Sequence, residues 1–248
     1  MKKRSFLQFL PLDEISSSHL ITTLCSQKKT QKKSPFCVYY ANIHSYIEAR
    51  QNSQLKKAFD ASDIIYPDGW GIVLAAKFFG LPIHTRLTAY DFFPQFLQRV
   101  GNKKISLYLL GSTKKTVKKT ATMIKKQYPH IRIKGFHHGY IQTEQEKQTV
   151  IQEINQKKID ILLVGMGTPK QEIWADENKN TLHVNTIWCV GGLFDYLSGD
   201  IKHCPRWIGD RGFQWLWRLV HEPKRLWKRY FLELPQFFIY SMKAKFLS

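Results

Sequence analysis

The sequence lacks the two commonest phosphate-binding loops, because it contains neither GxGxxG nor GxxxxGK[ST]. These absences disfavour a dinucleotide-dependent oxidoreductase and a P-loop NTPase. The four cysteines are scattered and form no CxxC pair, so they indicate reduced thiols, not a disulfide framework or a zinc site. The histidines, including the pair His137-His138, show no metal-ligand spacing, and no DxD motif occurs. We therefore predict no cofactor and no metal site.

Long apolar runs and acidic residues are also scarce. The N-terminal stretch FLQFLPL is interrupted by Gln8 and Pro11, and no run approaches the roughly 20 apolar residues of a spanning helix. The chain has 19 acidic residues against 38 lysines and arginines, a formal net charge of +19. This charge indicates a polyanionic partner: nucleic acid, an anionic membrane face or a phosphorylated substrate. We expect a cytosolic protein that is soluble or peripheral.

Short apolar runs alternate with stretches long enough for helices. The runs, each bounded by Gly, Pro or Asn, lie at residues 37–41, 63–67, 105–110, 131–136, 160–165 and 186–191. This alternation predicts an α/β fold with a Rossmann-like, largely parallel, doubly wound sheet. Residues 1–35, which include a lysine-rich linker, are expected to be an N-terminal extension; residues 36–200 are expected to be the core, and residues 201–248 a basic and aromatic helical appendage.

Ligands of an open α/β sheet collect at the carboxyl ends of its strands. Glycines at those ends allow the backbone to approach a ligand, and helix N-termini present N–H groups to phosphate oxygens. The candidate binding residues after the runs are Asn42, Gly111, Gly165, Gly167, Gln171, Gly191 and Gly192. Two alternatives stay open, since residues 168–171 also fit a helix capping box and Gly191-Gly192 also fits an ordinary strand-to-helix turn.

Asp68 is the candidate catalytic residue. It stands between Pro67 and Gly69 in YPDGWG, at the end of a predicted strand. Aspartate is a common turn former, but a carboxylate facing the crevice could also take a proton from an attacking hydroxyl. Arg86 and Asp91 follow the next apolar helix and could reach the same crevice, although a surface ion pair is the plain alternative.

The last 48 residues combine basic and aromatic side chains. Arg211, Arg218 and Arg225 recur every seven residues, which predicts that a helical stretch, restarted at Pro223 and Pro235 to give two or three helices, carries its charge on one side. Such a stretch is typical of a helix at an anionic membrane surface. Packing on the core and stacking on single-stranded nucleic acid are alternatives, and an arginine cluster over the crevice could also hold a diphosphate.

From residue 36 to the C-terminus the sequence resembles the WecG/TagA/CpsF family of glycosyltransferases. The resemblance is carried by N-x-H at 42–44, DIIYPDGWG at 63–71, HHGY at 137–140, DILLVGMGTPKQE at 160–172, GGLFDYLSGDIKHCPRW at 191–207 and WLWRLVHEPKRLWKRY at 215–230. It implies an N-acetylmannosaminyltransferase-like enzyme that moves a hexose or N-acetylhexosamine from a UDP-sugar to a polyprenyl-diphosphate-linked saccharide. The enzyme would act at the cytoplasmic face of a bacterial membrane, in cell-wall or extracellular polysaccharide synthesis.

The resemblance also implies roles for single residues. Asp68 matches the base, Asn42 and Arg86 match polar active-site positions, Gln171 matches the motif glutamine, and the tail arginines Arg218 and Arg225 match those that close over the diphosphate. We predict inverting, metal-independent transfer.

The chain departs from the family pattern at two positions. Tyr40 stands where members often carry threonine, and Ala89 stands where glycine is usual, so both bear on which sugars fit. The alternatives are a nucleic-acid-binding protein and an inactive member. We expect no nucleic-acid partner under the leading hypothesis, and a homo-oligomer is possible.

Overall fold

The computed structural model describes residues 3–27 and 34–246, apart from the side chains at positions 3, 206, 210, 214, 225 and 244–246. A hairpin and one helix come first: β1 (Lys3–Leu7), β2 (Leu10–Glu14) and α1 (Ser17–Leu24). The core follows as β3 (Phe36–Ala41), α2 (Ile43–Gln51), α3 (Ser53–Asp60), β4 (Ile64–Pro67), α4 (Trp70–Phe78), α5 (Ala89–Asn102), β5 (Ser106–Gly111), α6 (Lys114–Gln127), β6 (Arg132–His137), α7 (Glu144–Gln156), β7 (Ile161–Gly165), α8 (Lys170–Asn178), β8 (Thr186–Cys189) and α9 (Leu193–Leu197). The appendage contains α10 (Arg206–Asp210), α11 (Gln214–His221), α12 (Pro223–Lys228), a π-helical turn (Arg229–Glu233) and α13 (Leu234–Phe246).

Strands β3 to β8 form one six-stranded parallel sheet in the order β4-β3-β8-β7-β5-β6. Each strand corresponds to one predicted apolar run, so the predicted fold class is confirmed. The runs are continuous because helices cover both faces, and alternate residues of β5, for example, enter two separate apolar clusters. All carboxyl ends lie along one edge, which brings Asn42, Asp68, Ser112, Met166 and Val190 to the same side of the molecule.

The N-terminal hairpin packs against the core, although we expected the folded core to begin near Phe36. Asp13 is completely buried and accepts two hydrogen bonds from Arg4 (2.9 and 2.7 Å) and one from the backbone N–H of Ile65 in β4 (2.7 Å). Three leucines of the hairpin are also fully buried: Leu7, Leu10 and Leu12. Most of the predicted linker, residues 28–33, lies outside the described residues.

The appendage has four α-helices within its described residues, more than the two or three that we predicted. α12 begins at Pro223 as expected. The predicted single basic face is wrong: Arg211 caps α10, Arg218 lies in α11 and Arg225 lies in α12, so the chain turns between them.

The end of the appendage packs back onto the core. The ring of Phe237 in α13 meets Tyr46 in α2 edge-on, with 4.9 Å between the ring centroids. His44 at the start of α2 also pairs with Glu233 of the π-helical turn, at 2.9 Å between Nδ1 and Oε2. Among the described residues, none of the helices is both long and apolar enough to cross a bilayer.

Candidate active site

Asp68 lies directly after β4, and two hydrogen bonds fix its position. Its backbone N–H donates to the carbonyl of Ala41 at the end of β3 (2.8 Å), which joins the two strand ends. Its carboxylate oxygen Oδ1 accepts a hydrogen bond from Thr88 Oγ1 (3.0 Å). Gly69 then takes a positive φ of 92°, a conformation that favours glycine and lets α4 start at once. The half-buried carboxylate is therefore held at the predicted edge of the sheet.

The surroundings of Asp68 act on its charge in opposite directions. Burial raises the pKa of this carboxyl above its ordinary value. The hydrogen bond from Thr88, the charges of Arg218 and Arg86, and a hydrogen bond from Asn42 each lower the pKa, but together they do not offset burial. A carboxylate with a raised pKa is a stronger base, so the site suits proton abstraction.

Asn42 serves the helix and the carboxylate together. Its Oδ1 accepts from the backbone N–H of Ser45 (3.0 Å) and so caps the N-terminus of α2. The side-chain oxygen is used in this cap, which leaves the amide N–H groups as the donors for Asp68.

Arg86 and Asp91 form an ion pair beside this carboxylate, with 3.2 Å between Arg86 Nη2 and Asp91 Oδ2. The Arg86 side chain is only 10% exposed, so the surface-pair alternative does not describe it. His203, near the start of the appendage, has its Nε2 3.8 Å from Asp91 Oδ1. Its ring stacks on that of Tyr90, with 3.8 Å between the ring centroids. Burial lowers the pKa of His203, which favours its neutral form. The sequence analysis identified neither His203 nor Thr88.

Arg218 brings the appendage to the same place. Its guanidinium lies over the ring of Tyr196, 5.9 Å from the centroid, and its charge lowers the pKa of Asp68. Asp68, Asn42, Arg86, Asp91 and Arg218 thus converge although they come from distant parts of the chain. The side chain of Arg225, which we also assigned to the site, lies outside the described residues.

Gln171 does not close a helix end. α8 has Pro169 at its N-cap and no side-chain capping bond there, so the capping-box alternative is wrong. The fully buried Gln171 side chain accepts from the backbone N–H of Gly191 (3.0 Å) and donates to Glu172 Oε1 (2.7 Å). It therefore connects the first turn of α8 to the segment after β8.

Glu172 is a buried carboxyl that the sequence analysis missed. It has no solvent exposure, and burial raises its pKa to about 7. Its Oε1 accepts from Thr168 Oγ1 (3.0 Å) and from Gln171, whereas its Oε2 has no hydrogen-bond partner within the described residues. The hydroxyl oxygen of Thr168 also lies 3.4 Å from the hydroxyl oxygen of Tyr40. A glutamate in the first turn of a helix is ordinarily an exposed charge at the positive end of the helix dipole. The sequence therefore gives no signal that distinguishes the buried Glu172 from such a residue.

The glycines at the strand ends pack against one another. A Cβ on Gly111 would collide with the carbonyl of Gly165, and a Cβ on Gly191 would lie 2.5 Å from the hydroxyl of Tyr40. Close packing therefore accounts for these glycines without a ligand. Gly192 is the N-cap of α9, whereas Gly167 has open space around its Cα. Ala89, the second departure, is buried at the start of α5.

Comparison with known sequences settles the family. A model of the glycosyl transferase WecG/TagA/CpsF family matches residues 6–248. The chain belongs to this family. This WecG/TagA/CpsF protein is therefore a glycosyltransferase, as the sequence resemblance predicted, and the match extends the resemblance into the N-terminal hairpin.

Curated relatives include three proteins with the same name, N-acetylglucosaminyldiphosphoundecaprenol N-acetyl-beta-D-mannosaminyltransferase. The protein from Bacillus spizizenii (strain W23) is 30% identical over 89% of this chain and 82% of its own length. The Bacillus subtilis (strain 168) protein is 30% identical over 75% of this chain and 70% of its own. The Staphylococcus aureus (strain MW2) protein is 29% identical over 85% and 78%, respectively.

Proposed function

We propose that this WecG/TagA/CpsF glycosyltransferase transfers an N-acetylmannosamine-like sugar from a UDP-sugar to a polyprenyl-diphosphate-linked saccharide in cell-wall or extracellular polysaccharide synthesis. The observation that carries the proposal is the convergence of a raised-pKa carboxylate, Asp68, with Arg86 and with Arg218 of the appendage. The names of the relatives support N-acetylmannosamine as the sugar and diphosphoundecaprenol-linked N-acetylglucosamine as the acceptor.

The chemistry follows from these charges. Asp68 takes the proton of the acceptor hydroxyl as that oxygen bonds to the anomeric carbon, and the bond from that carbon to the diphosphate breaks with its electron pair leaving on UDP. Arg86 and Arg218 offer forked donors to the negative charge that develops on the diphosphate. A single displacement inverts the anomeric centre, and a β-linked product as in the relatives' names follows from an α-linked donor. Because the arginines supply positive charge and the sequence has no DxD motif, we propose transfer without a metal.

The appendage supports a location at the membrane surface. Its exposed apolar side chains include Trp207 (64% exposed), Phe213 (51%) and Phe231 (66%). Exposed cations lie among them, namely Lys202, Arg211, Lys224, Lys228 and Lys243. This combination fits an anionic lipid surface, into whose interface aromatic rings insert while the cations meet headgroups.

Helix α4 continues this exposed apolar surface from the appendage onto the surface of residues 36–200. Trp70, Leu74 and Phe78 are spaced by four residues on α4, so they share one face, and each is at least 36% exposed. The indole Nε1 of Trp70 donates to the carbonyl of Gly209 in α10 (3.3 Å), which places this stripe beside the appendage. A membrane that binds the appendage would therefore also meet α4, next to the loop that carries Asp68.

The reaction is tested by UDP release from purified full-length protein with detergent-solubilised polyprenyl-diphosphate-GlcNAc and a panel of UDP-sugars. We expect acceptor-dependent release that survives EDTA and falls by roughly 10²–10⁴ in Asp68→Asn. Asp60→Asn is the matched control, because Asp60 is exposed and forms an ion pair with Lys56 of the same helix. Full activity in Asp68→Asn would refute the role of Asp68 as the base. No UDP release with any donor would refute the proposed reaction.

Membrane binding is tested by sedimentation with vesicles of phosphatidylglycerol or phosphatidylcholine. We expect binding to the anionic vesicles that falls in Trp207→Ser/Phe213→Ser and in Leu74→Ser. Tyr140→Ser is the control, because Tyr140 is 62% exposed but follows β6, at the opposite edge of the sheet from β4. Equal losses in the control, or no binding by the unaltered protein, would refute this surface.

A further inference from the structure

Two histidines and a glutamate meet at the edge of the sheet farthest from Asp68. His137 ends β6, one edge strand, whereas Asp68 follows β4, the other edge strand. His137, His138 and Glu146 each offer one ligand atom, and these atoms all lie within 4.8 Å of one another. We propose that they form a binding site for a divalent transition metal of the zinc class, separate from the transfer site.

His137 is already in the tautomer that binds metals. Its Nδ1 lies 2.9 Å from the backbone carbonyl oxygen of His138. A carbonyl oxygen can only accept, so Nδ1 carries the proton and the neutral ring has its lone pair on Nε2. Metal-binding histidines commonly donate their other ring N–H to a carbonyl in this way, which orients the ring.

His138 and Glu146 are spaced like two ligands of one ion. His138 Nε2 lies 3.6 Å from Glu146 Oε1. Tetrahedral zinc with bonds of about 2.0–2.2 Å separates its N and O ligands by roughly 3.3–3.5 Å, so a small side-chain rotation suffices for this pair. The rings of His137 and His138 are 4.2 Å apart at their centroids, which puts both on one side of the strand end.

The other ring nitrogen of His138 has no protein partner. Its Nδ1 is buried and has no hydrogen-bond partner in the described part of the chain. With Nε2 as the ligand atom, Nδ1 carries the ring proton and needs an acceptor. A water is the usual acceptor where no protein group supplies one, and metal-binding histidines commonly donate their second N–H in this way.

The Glu146 side chain is held in place before any ion arrives. Its Oε2 accepts from the backbone N–H of Gln142 (3.0 Å), and its own backbone N–H donates to Thr143 Oγ1 (3.1 Å). These two hydrogen bonds fix the carboxylate at the first turn of α7, with Oε1 toward His138. A cavity of about 320 Å³, lined by His137 and Glu146 among others, gives an ion access and leaves room for water as a further ligand.

A metal here would join the end of β6 to α7 across the loop between them. That loop also touches the carboxyl edge of the sheet, because the N–H of Gly139 donates to the carbonyl of Ser112 after β5 (2.9 Å). The ion would thus stiffen the rim of the crevice at the end away from Asp68. It has no part in the transfer chemistry, so chelation is expected to lower thermal stability and to leave transfer intact.

The test uses untagged full-length protein that has been treated with EDTA and desalted. Zn²⁺ is titrated by calorimetry, Co²⁺ binding is followed by visible absorption, and Tm is measured with and without Zn²⁺. We expect one saturable site in the unaltered protein and a rise in Tm with Zn²⁺. Glu146→Gln, which keeps an oxygen for the cap, should weaken Zn²⁺ binding roughly tenfold or more, and His137→Asn/His138→Asn should abolish it.

The control variant is His130→Asn, because His130 is exposed and lies before β6, at the other end of the strand. It should bind Zn²⁺ like the unaltered protein. The proposal fails if the unaltered protein has no saturable site, or if the double variant, shown to be folded by circular dichroism, binds Zn²⁺ equally well. The second result would assign the ion to other groups, such as the four buried cysteines.

Discussion

Thr88 controls the charge state of Asp68, and its removal has a calculable effect on the pH dependence of transfer. Among the groups that lower the pKa of Asp68, the hydrogen bond from Thr88 Oγ1 contributes most. Thr88 makes no side-chain cap for α5, so replacing it with valine removes this bond without removing a helix cap. Arg86 Nη1 also donates to Thr88 Oγ1 over 3.4 Å and loses that long bond in the variant, but the ion pair of Arg86 with Asp91 does not involve Thr88.

The size of the effect follows from the strength of one bond. A hydrogen bond to a charged group contributes about 1.5–3 kcal/mol, and we take the lower end because Asp68 is only half-buried. About 1.5 kcal/mol corresponds to roughly one pKa unit. Thr88 stabilises the charged form, so Thr88→Val raises the pKa of Asp68 still further. When the pH is lowered, the variant should therefore lose activity at a higher pH than the unaltered protein does.

The assay is kcat/KM for acceptor-dependent UDP release as a function of pH, whose acid limb reports the base of the free enzyme. In Thr88→Val we expect this limb to move up by about one pH unit, with little change on the plateau above it. Thr122→Val is the control, because Thr122 is exposed on α6 and its hydroxyl donates to the carbonyl of Lys118 in the same helix. An unmoved limb, or one that moves to lower pH, would show that Asp68 is not the group titrating there.

Three further variants test the supporting structure. Asp13→Asn should lower the free energy of unfolding in urea by about 3–5 kcal/mol, because it leaves Arg4 without its buried partner. Glu172 binds its proton more tightly in the folded protein than in the unfolded chain. The free energy of unfolding should therefore fall by roughly 3 kcal/mol as the pH rises from about 4.5 to about 7, and Glu172→Gln should remove the accompanying fall in Tm. Arg218→Lys should lower kcat/KM for the donor about 10- to 100-fold, since lysine lacks the forked donors.

Each of these variants has a matched control. Lys56→Ala breaks an exposed i,i+4 pair and should cost at most about 1 kcal/mol. Glu177→Gln changes an exposed residue of the same helix as Glu172 and should leave the dependence of Tm on pH as it is. Arg211→Lys alters an exposed arginine that donates a hydrogen bond to the carbonyl of Trp207, so kcat/KM for the donor should not change. A control that behaves like its partner variant would contradict the corresponding assignment.

The parallel sheet and the convergence of its strand ends on one edge were predictable from the sequence. Strands buried on both faces need apolar residues at nearly every position, so the central strands left nearly continuous apolar runs. The edge strand β6 differs, because Arg132 and Lys134 in it are exposed. Parallel strands put their carboxyl ends on one edge, and that rule alone brought Asn42 and Asp68 together. The spacing of seven residues gave a wrong prediction in the appendage. It places Arg211 and Arg218 on one face only if a single helix carries both, and here they belong to different helices.

What the sequence left unpredicted depends on contacts between distant residues. Asp13 lies in a short segment with no strong strand pattern, and its partner Ile65 is 52 residues away. Gln171 and Glu172 have the ordinary composition of a helix start, and only the tertiary structure shows that both are buried. The local sequence pattern indicates hydrophobic periodicity and turns, but it does not indicate which polar side chains other helices and strands will bury.

The balance of forces on Asp68 gives a reason for the proposed base and the proposed diphosphate-binding arginines to share one site. Burial raises its pKa, and Arg86 and Arg218 hold that rise in check while the crevice contains no anion. A diphosphate bound between these arginines would neutralise much of their field at the carboxylate, and its own charge would add to the effect of burial. The pKa of Asp68 would then rise further, so the carboxylate would become a stronger base once the donor is bound. Under the proposed reaction, the same two arginines that stabilise the leaving group also restrain the base until its substrate is present.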